Sequence, residues 1–314
     1  MWFASDMSSL LMDRSMIERV LFAGILLLMA ACGPEVGAVG EAGGGDGSAG
    51  SSSEATDAVS GSSTSSSGAE TGCFEIVYGS LSVDEGTDLE WLSTVREVTG
   101  QLTISSLSGT RDLGELRCLE SVGGAMAIRR NPNLESLAGL EMIREVDDFL
   151  LVAENPRLRA LDVPLERVRR LQVSSNPSLE SLGLPMLEEM EILEVGYIKC
   201  PEFPDPETGL TPVIGGDNPL LQGIDRLESL RSDSLFLIAG QSGLVSTAGI
   251  VDVVDAHQQQ FPDRQVGVRN VFWGNPNLSE AEVSKVFEAE GRESYGAAQA
   301  CENRDDDREC VCAF

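Results

Sequence analysis

The chain has 314 residues and a net charge of −29, from 51 acidic and 22 basic side chains with one histidine. Neutralising phosphates requires a basic surface, so this balance excludes nucleic acid as a natural partner. Anionic membrane surfaces would also repel the protein, so any membrane attachment has to come from a lipid.

The first region, residues 1–31, has the layout of an export signal. Arg14 and Arg19 precede the apolar run 20–31, which ends in small residues just before Cys32. This run is shorter than the roughly 20 apolar residues that a transmembrane helix needs. We therefore predict a cleaved signal peptide over 1–31.

The end of this signal resembles the lipobox of bacterial lipoproteins. The resemblance rests on Met29-Ala30-Ala31-Cys32 and implies that the Cys32 thiol carries diacylglycerol at the mature N-terminus. An ordinary secreted protein is the alternative. In that family aspartate after the cysteine retains the protein at the inner membrane, so Gly33 implies the outer membrane of a bacterial cell envelope, on a side left open. The polar stretch before Arg14 fits a signal poorly, and we predict Met16 as the true start codon.

The second region, 32–72, is predicted to be a disordered tether behind the lipidated cysteine. Residues 33–72 carry six acidic residues and no basic one, and the rest are almost all Gly, Ser, Ala, Thr and Val. Such a segment cannot bury enough apolar surface to become ordered. A Gly-rich coil of this length spans roughly 35 Å on average.

A repeat begins after Cys73. Four segments share alternating apolar residues and are spaced 21, 24 and 24 residues apart. This period of two predicts short strands. The segments are Gly79–Val83, Gly100–Ile104, Gly124–Ile128 and Asp148–Val152.

Asn-Pro pairs recur along the same region, usually with a leucine two residues after the proline. Asparagine tolerates turns and proline fixes φ while lacking an N–H donor, so each pair is predicted to end a strand and turn the chain. Periods in the low twenties are typical of leucine-rich-repeat-like solenoids. The pairs are Asn131-Pro132, Asn155-Pro156, Asn176-Pro177, Asn218-Pro219 and Asn275-Pro276, and the leucines are Leu134, Leu158, Leu179 and Leu278.

Six cysteines remain once Cys32 is assigned to the lipid. An even set in an exported protein predicts up to three disulfides, with 15 possible connectivities that the sequence does not distinguish. Cys310-Val311-Cys312 lacks the further paired ligands of a common zinc site, so a disulfide-tied C-terminus is the better interpretation. The six candidates are Cys73, Cys118, Cys200, Cys301, Cys310 and Cys312.

The segments 73–83 and 89–104 resemble the receptor L-domain of the insulin and epidermal growth factor receptors. The resemblance covers 73–161 and weakens beyond it. It implies a mainly β fold with short helices: a single domain over 73–276 built as a right-handed parallel β-helix, or leucine-rich-repeat-like solenoid. The receptors have a helical cap with a partner cysteine before this point, whereas a tether precedes Cys73 here, so Cys73 is expected to pair elsewhere, with Cys118 as the candidate.

The last region, 277–314, is predicted to form a C-terminal helix and Cys-rich cap. Ser279-Glu280-Ala281-Glu282 matches a capping box, and Gly291 marks the end of the helix. Its apolar stripe would cover the last coil of the solenoid. The stripe consists of Val283, Val286 and Phe287.

The sequence offers little catalytic chemistry. His257 is the only histidine, and its polar neighbours predict a solvated side chain rather than a general base. The common hydrolase, metalloprotease and nucleotide-binding motifs are absent from the sequence. We therefore expect a protein that is not an enzyme, with no catalytic residue, no cofactor and no metal.

The outward face of the strands is the predicted ligand-binding surface. In a Gly-x-Leu-x-Ile strand the apolar pair points inward and the other residues point outward. The outward positions also include Ser105, Ala125, Ala153 and Ser174, and apolar Phe149 and Leu151 suggest a contact patch unless a loop or the C-terminal segment covers them. Receptor L-domains use this face for ligand. The predicted ligand-binding residues are Gln101, Thr103, Ala127, Arg129, Phe149, Leu151 and Gln172.

These observations favour a cell-envelope lipoprotein that displays a non-enzymatic repeat domain for binding a protein or a glycan. A structural or adhesive envelope protein is the close alternative. A carbohydrate-active enzyme is a third, and it would need two facing carboxylates in a groove.

Overall fold

The protein is described by a computed structural model over residues 72–199, 213–230, 234–260, 270–292, 299–306 and 308. The predicted signal peptide, Cys32 and the tether up to residue 71 lie outside these ranges, as do Cys200, Cys310 and Cys312. The described part is mainly β with two short α-helices, as the sequence predicted.

Within the described ranges, sixteen strands follow one another, and the two helices lie towards the C-terminal end. The first strands are β1 (Glu75–Val77), β2 (Leu81–Val83), β3 (Val95–Val98), β4 (Leu102–Ser105), β5 (Ser121–Val122), β6 (Met126–Arg129), β7 (Glu145–Ala153) and β8 (Ala160–Asp162). The others are β9 (Arg167–Ser174), β10 (Ser181–Gly183), β11 (Ile192–Val195), β12 (Tyr197–Lys199), β13 (Val213–Gly215), β14 (Leu235–Ala239), β15 (Val271–Trp273) and β16 (Ala300–Cys301). The helices are α1 (Ala248–Gln260) and α2 (Glu280–Ala289), and two 3-10 segments span Glu90–Thr94 and Gly114–Leu116.

Twelve of these strands form one parallel sheet with two converging paths. One path runs β1-β3-β5-β7-β9-β11-β14-β15-β16, and the other runs β2-β4-β6-β7. The long strand β7 joins them because its first residues pair with β5 and its last four pair with β6. Leu81, Leu102, Met126 and Leu150 are register partners in turn, so the predicted strands and their spacing are confirmed.

The inward residues of these strands form the core. Leu102 and Ile104 are fully buried, as their alternation predicts, and the leucines after the Asn-Pro pairs join them in one hydrophobic cluster. The turn at each pair brings the leucine inward: the Leu158 N–H donates to the Asn155 carbonyl at 3.2 Å, and the Leu179 N–H to the Asn176 carbonyl at 3.0 Å. The Asn-Pro pairs therefore make the turns that the sequence predicted.

Buried side-chain amides run along the stack as a continuous amide ladder. The backbone N–H of each member donates to the side-chain oxygen of the next. The residue before most members has a left-handed φ, as at Arg130, Glu154 and Ser175, which turns the amide inward. The members are Asn131, Asn155, Asn176, Asn218, Gln241, Asn275 and Asn303, each at most 5 % exposed.

Three other elements accompany the sheet. The strands β12 and β13 form an antiparallel hairpin, and β8 pairs with β10 in a small parallel sheet. Helix α2 begins at the predicted N-cap, where the Ser279 hydroxyl accepts from the Glu282 N–H at 3.3 Å, and it buries the predicted apolar stripe. The reciprocal capping bond is replaced, because the Glu282 carboxylate contacts Lys285 and the Thr247 N–H instead. Neither helix of the described ranges is long and apolar enough to span a membrane.

Candidate ligand-binding face

The outward side chains of the main sheet stand in rows because the strands are in parallel register. Thr103, Ala127, Leu151 and Gln172 are successive partners in one row, and each is partly exposed. The sheet thus brings together four of the predicted ligand-binding residues. The row continues through Glu194, Leu237 and Val271.

A second outward row lies beside the first. Phe149 is paired in register with Arg170, which is followed by Ile192 and Leu235, and all four side chains are partly exposed. Phe149 is thus beside the first row, as predicted. The two rows together form a surface that we call the outer apolar patch. It consists of Phe149, Leu151, Ile192, Leu235, Leu237 and Val271.

The sequence reasoning missed four members of this patch. Ile192 and Leu235 point outward in the same row as Phe149. Leu237 and Val271 point outward in the same row as Leu151. Period-two alternation within their own strands could therefore have identified all four residues. The irregular spacing after Val195 hid it for Leu235, Leu237 and Val271, because the hairpin and α1 lengthen the connections between the later strands.

The remaining two predicted residues lie at the margins. Gln101 is exposed just before β4, and its backbone links Ser80 and Leu81. Arg129 is partly exposed at the end of β6 and pairs in register with Ala153. Neither residue is a register partner of a member of the outer apolar patch, so both lie at its margin.

Two positions predicted to point outward into solvent are buried. Ala153 is 6 % exposed and Ser174 is 8 % exposed. The backbone returning from the hairpin passes over this end of the sheet, since a Cβ on Gly216 would stand 2.9 Å from the Ser174 Cβ. The prediction of outward exposure was wrong at both positions, and at Ser174 the cause is that the inserted segment covers the side chain.

A buried ion pair crosses the two rows within the outer apolar patch. The Arg170 Nη2 lies 2.6 Å from the Glu194 Oε2, with the side chains 17 % and 3 % exposed. Burial raises the pKa of Glu194, and the Arg170 charge offsets part of that rise. The Arg170 guanidinium also lies 5.7 Å from the centre of the Phe149 ring, a cation–π contact.

This arrangement fixes the side chains of the patch before any ligand arrives. Because Arg170 is held by Glu194, its planar group supports the Phe149 ring in one orientation and its charge is neutralised internally. The ion pair therefore carries no net charge, although Arg170 and Gln172 stand between Phe149 and Leu151 on one side and the later apolar residues on the other. Rigid aromatic and aliphatic groups lose little conformational entropy on binding, so such a surface suits a protein contact.

The hairpin limits the face at its far end. Ile198 and Ile214 pack against Ala239, Trp273 and Cys301, so the last strands are covered by β12 and β13. The open part of the face therefore lies over β4, β6, β7 and β9, and it ends at Leu237 of β14 and Val271 of β15, which packs beside the covered cluster.

The N-terminal disulfide agrees with the expected pairing. Cys73 is bonded to Cys118, which ties the segment just before β1 to the turn before β5. Cys301 at the end of β16 is also disulfide-bonded. Six candidate cysteines were predicted to form disulfides, and these three do so within the described ranges.

His257 does not have the solvated environment that its neighbours predicted. It lies on α1 and is 6 % exposed, so that prediction was wrong. Its position follows from helix periodicity, because Ile250, Val253, Val254 and His257 share the buried face of α1. Over the residues with described positions, no group of three or more His, Cys, Asp or Glu side chains is arranged to hold a metal ion.

One cavity has two carboxylates in its lining, the feature that a glycoside hydrolase would need. It has a volume of about 230 Å³, and Glu141 and Asp162 lie in its wall. Both oxygens of Glu141 accept from the Gly139 N–H at 2.9 Å, and Asp162 pairs with Arg226 at 3.0 Å. Both groups are thus engaged in local structure.

Comparisons with protein-family models, with curated proteins and with solved structures gave no match to this chain.

Proposed function

We propose that this protein is a lipid-anchored bacterial cell-envelope protein, held by Cys32 at the outer membrane, whose repeat domain binds another protein through the outer apolar patch. The repeat domain is a right-handed solenoid of the receptor L-domain kind, and it has no enzymatic role. A glycan ligand is the second possibility, and a structural or adhesive role is the third.

The observation that carries this proposal is the outer apolar patch on a registered parallel sheet. Six apolar side chains of two neighbouring rows remain partly exposed there. Single exposed apolar residues are ordinary, but six of them on one sheet face, with Arg170 and Gln172 between them, favour a contact site. Aliphatic side chains such as Ile192 and Leu237 provide no hydrogen bonds for sugar hydroxyls, and this favours a protein over a glycan.

The solenoid is supported by the repeated geometry. The strand, the left-handed residue, the ladder amide and the inward leucine recur in the same order in successive coils. The lipid anchor is supported by the signal layout and Met29-Ala30-Ala31-Cys32. Incorporation of labelled fatty acid that is lost on Cys32→Ala tests the anchor independently of binding.

A differential capture experiment tests the binding proposal. The chain from Cys32 onward is immobilised, and envelope proteins retained by wild type are compared with those retained by a Phe149→Glu, Leu151→Glu double variant. Two new carboxylates in the patch should abolish capture of the specific partner, because an unpaired charge in an apolar contact costs several kcal/mol. Affinity for the captured protein is then measured by calorimetry.

A Met142→Glu, Met186→Glu double variant is the matched control. These methionines are also exposed apolar residues, 42 % and 43 %, but they lie in turns away from the sheet face. Binding that survives both double variants places the contact elsewhere. Binding to a glycan array that the patch variant abolishes supports the glycan alternative, and the absence of any saturable ligand supports a structural role.

A further inference from the structure

Within the described residues, the stack of strands has an open edge at its first coil. Among the described strands, β1 pairs only with β3 and β2 pairs only with β4. The Leu81 N–H donates to the Gln101 carbonyl at 2.7 Å, towards β4. Successive residues of a parallel strand bond to opposite sides, so the N–H and C=O of exposed Ser82 point to the open edge. Such an edge is a template for another strand.

Exposed aromatic side chains flank this edge. Phe74 is 61 % exposed and Tyr78 is 82 % exposed at the two ends of β1, and Trp91 is 38 % exposed on the 3-10 segment that follows the first coil. Large aromatic groups are the usual anchors of protein interfaces. The edge therefore offers both backbone pairing groups and apolar anchors.

The negative charge around the edge favours a basic ligand. Residues 72–95 contain five acidic residues and no basic one. The first basic residue after this stretch, Arg96, lies 3.8 Å from Glu120. The preceding segment 33–71 is acidic as well, so like charges oppose both the chain's own tether and a second copy of the protein.

We propose that the β1–β2 edge takes up an extended basic segment of another protein as an added strand. Main-chain hydrogen bonds to Ser82 would supply the register, as in other strand-addition complexes. Phe74, Tyr78 and Trp91 would contact the apolar side chains of that segment. The acidic groups, such as Glu75 and Glu90, would attract its lysines or arginines. This site is separate from the outer apolar patch.

The test uses the full chain and a fluorescent seven-residue peptide of alternating lysine and valine. Fluorescence anisotropy should show saturable binding that weakens with salt. Ser82→Pro removes the edge N–H and should weaken binding about 10-fold, the equivalent of one hydrogen bond. A peptide with glutamate in place of lysine, and one N-methylated on alternate residues, should bind at least about 10-fold more weakly for the same reasons.

A second variant keeps the test independent of whether Ser82→Pro folds. Glu75→Gln with Glu90→Gln should weaken peptide binding and flatten its salt dependence. The matched control, Glu188→Gln with Glu228→Gln, changes two exposed carboxylates outside the first coil and should leave binding unchanged.

Hydrogen exchange locates the peptide directly. The Ser82 amide should exchange rapidly in the chain alone and slow down when the peptide binds. Protection of Ser82 in the chain alone would mean that its own sequence covers the edge, and a dimer in sedimentation that Ser82→Pro disrupts would mean that a second copy does. Equal binding by the two glutamine variants would place the peptide elsewhere. Each of these three results overturns the proposal.

Discussion

The amide ladder shows how one residue type can hold successive coils at a fixed distance. Asn155 receives hydrogen bonds at Oδ1 from both nitrogens of Asn131, at 3.2 and 3.1 Å, and its Nδ2 donates to the Ile128 carbonyl at 2.9 Å. Buried amides without partners are costly. The ladder therefore contributes to coil spacing and penalises any slip of the chain.

We expect Asn155→Ala to lower the free energy of unfolding by about 2–4 kcal/mol, because it leaves buried donors and an acceptor unpaired. Urea unfolding followed by circular dichroism measures this loss. The control is Asn277→Ala, an exposed asparagine whose Nδ2 donates to the Ser242 carbonyl at 2.6 Å, and it should cost less than about 1 kcal/mol. Equal losses at the two sites would contradict a special role for the ladder.

Glu290 is a second residue whose burial has a measurable consequence. Its carboxylate accepts from the Asn270 Nδ2 at 2.5 Å and lies 3.2 Å from the Arg292 Nε. Burial raises its pKa to about 7, although the Arg292 charge and the Asn270 hydrogen bond oppose the rise. The folded protein thus holds this proton more tightly than the unfolded chain does, and the resulting stabilisation is lost as the pH rises from about 4.5 to about 7.

Glu290→Gln should therefore be more stable than wild type at pH 8, by roughly 1–3 kcal/mol, and similar to it near pH 4.5. Thermal unfolding at the two pH values gives the comparison. Glu288→Gln, at an exposed neighbouring position, should show no such pH-dependent gain. A gain that is the same at both pH values would rule out ionisation of Glu290 as its cause.

At the scale of elements, the coils approach one another most closely at turns where a side chain cannot fit. Gly139 has a φ of 106°, and a Cβ there would stand 1.9 Å from the Leu113 carbonyl oxygen of the preceding coil. Gly79 also has a positive φ, of 94°, but a Cβ there would meet nothing within 4 Å. A comparison of substitutions at the two glycines therefore distinguishes the cost of a positive φ from the cost of a steric clash.

Gly139→Ala should destabilise the protein by several kcal/mol, since it adds a backbone clash to the strain of a positive φ. Gly79→Ala should cost only about 1–2 kcal/mol, from strain alone. Chemical unfolding of both variants provides the test. A similar small cost for both would show that the coils can move apart at Gly139.

The elements divide clearly into those that the sequence could predict and those that it could not. Period-two alternation predicted β2, β4, β6 and β7, and Ser279 predicted the start of α2. The hairpin, the β8–β10 pair and the burial of His257 were not predicted, because they depend on contacts between distant segments rather than on local pattern. Likewise, the Asn-Pro pairs marked five ladder positions, but Gln241 and Asn303 lack a following proline.

On the scale of the whole molecule, each strand of the main sheet contacts mainly its immediate neighbours, so stability need not be uniform along the stack. The Cys73–Cys118 disulfide closes a loop across the first coils, with a sequence separation of 45 residues. In the chain-entropy account such a loop contributes up to about 4 kcal/mol. That contribution lies at one end of the molecule.

A Cys73→Ser, Cys118→Ser double variant should therefore loosen β1 to β5 selectively. Hydrogen exchange of Leu102 and Ile104 should accelerate, while exchange of Ile238 and Phe272, towards the other end of the sheet, should change little. Equal acceleration at both ends would indicate a single cooperative unit.

The candidate ligand face could be predicted from the sequence only in part. Its members near Leu151 follow from period-two alternation, but its members beyond Val195 could not be predicted.

The insertion of the hairpin has a consequence for how this architecture can be varied. The chain leaves the coil at Gly196 and returns at Gly216, and a Cβ on Gly216 would stand only 3.1 Å from the Gly196 Cα. Because exit and return nearly touch, the segment between them can change in length and composition while the amide ladder resumes at Asn218. The position is therefore a natural graft point, where new loops can be exchanged as modules beside the outer apolar patch without shifting the strands that carry it.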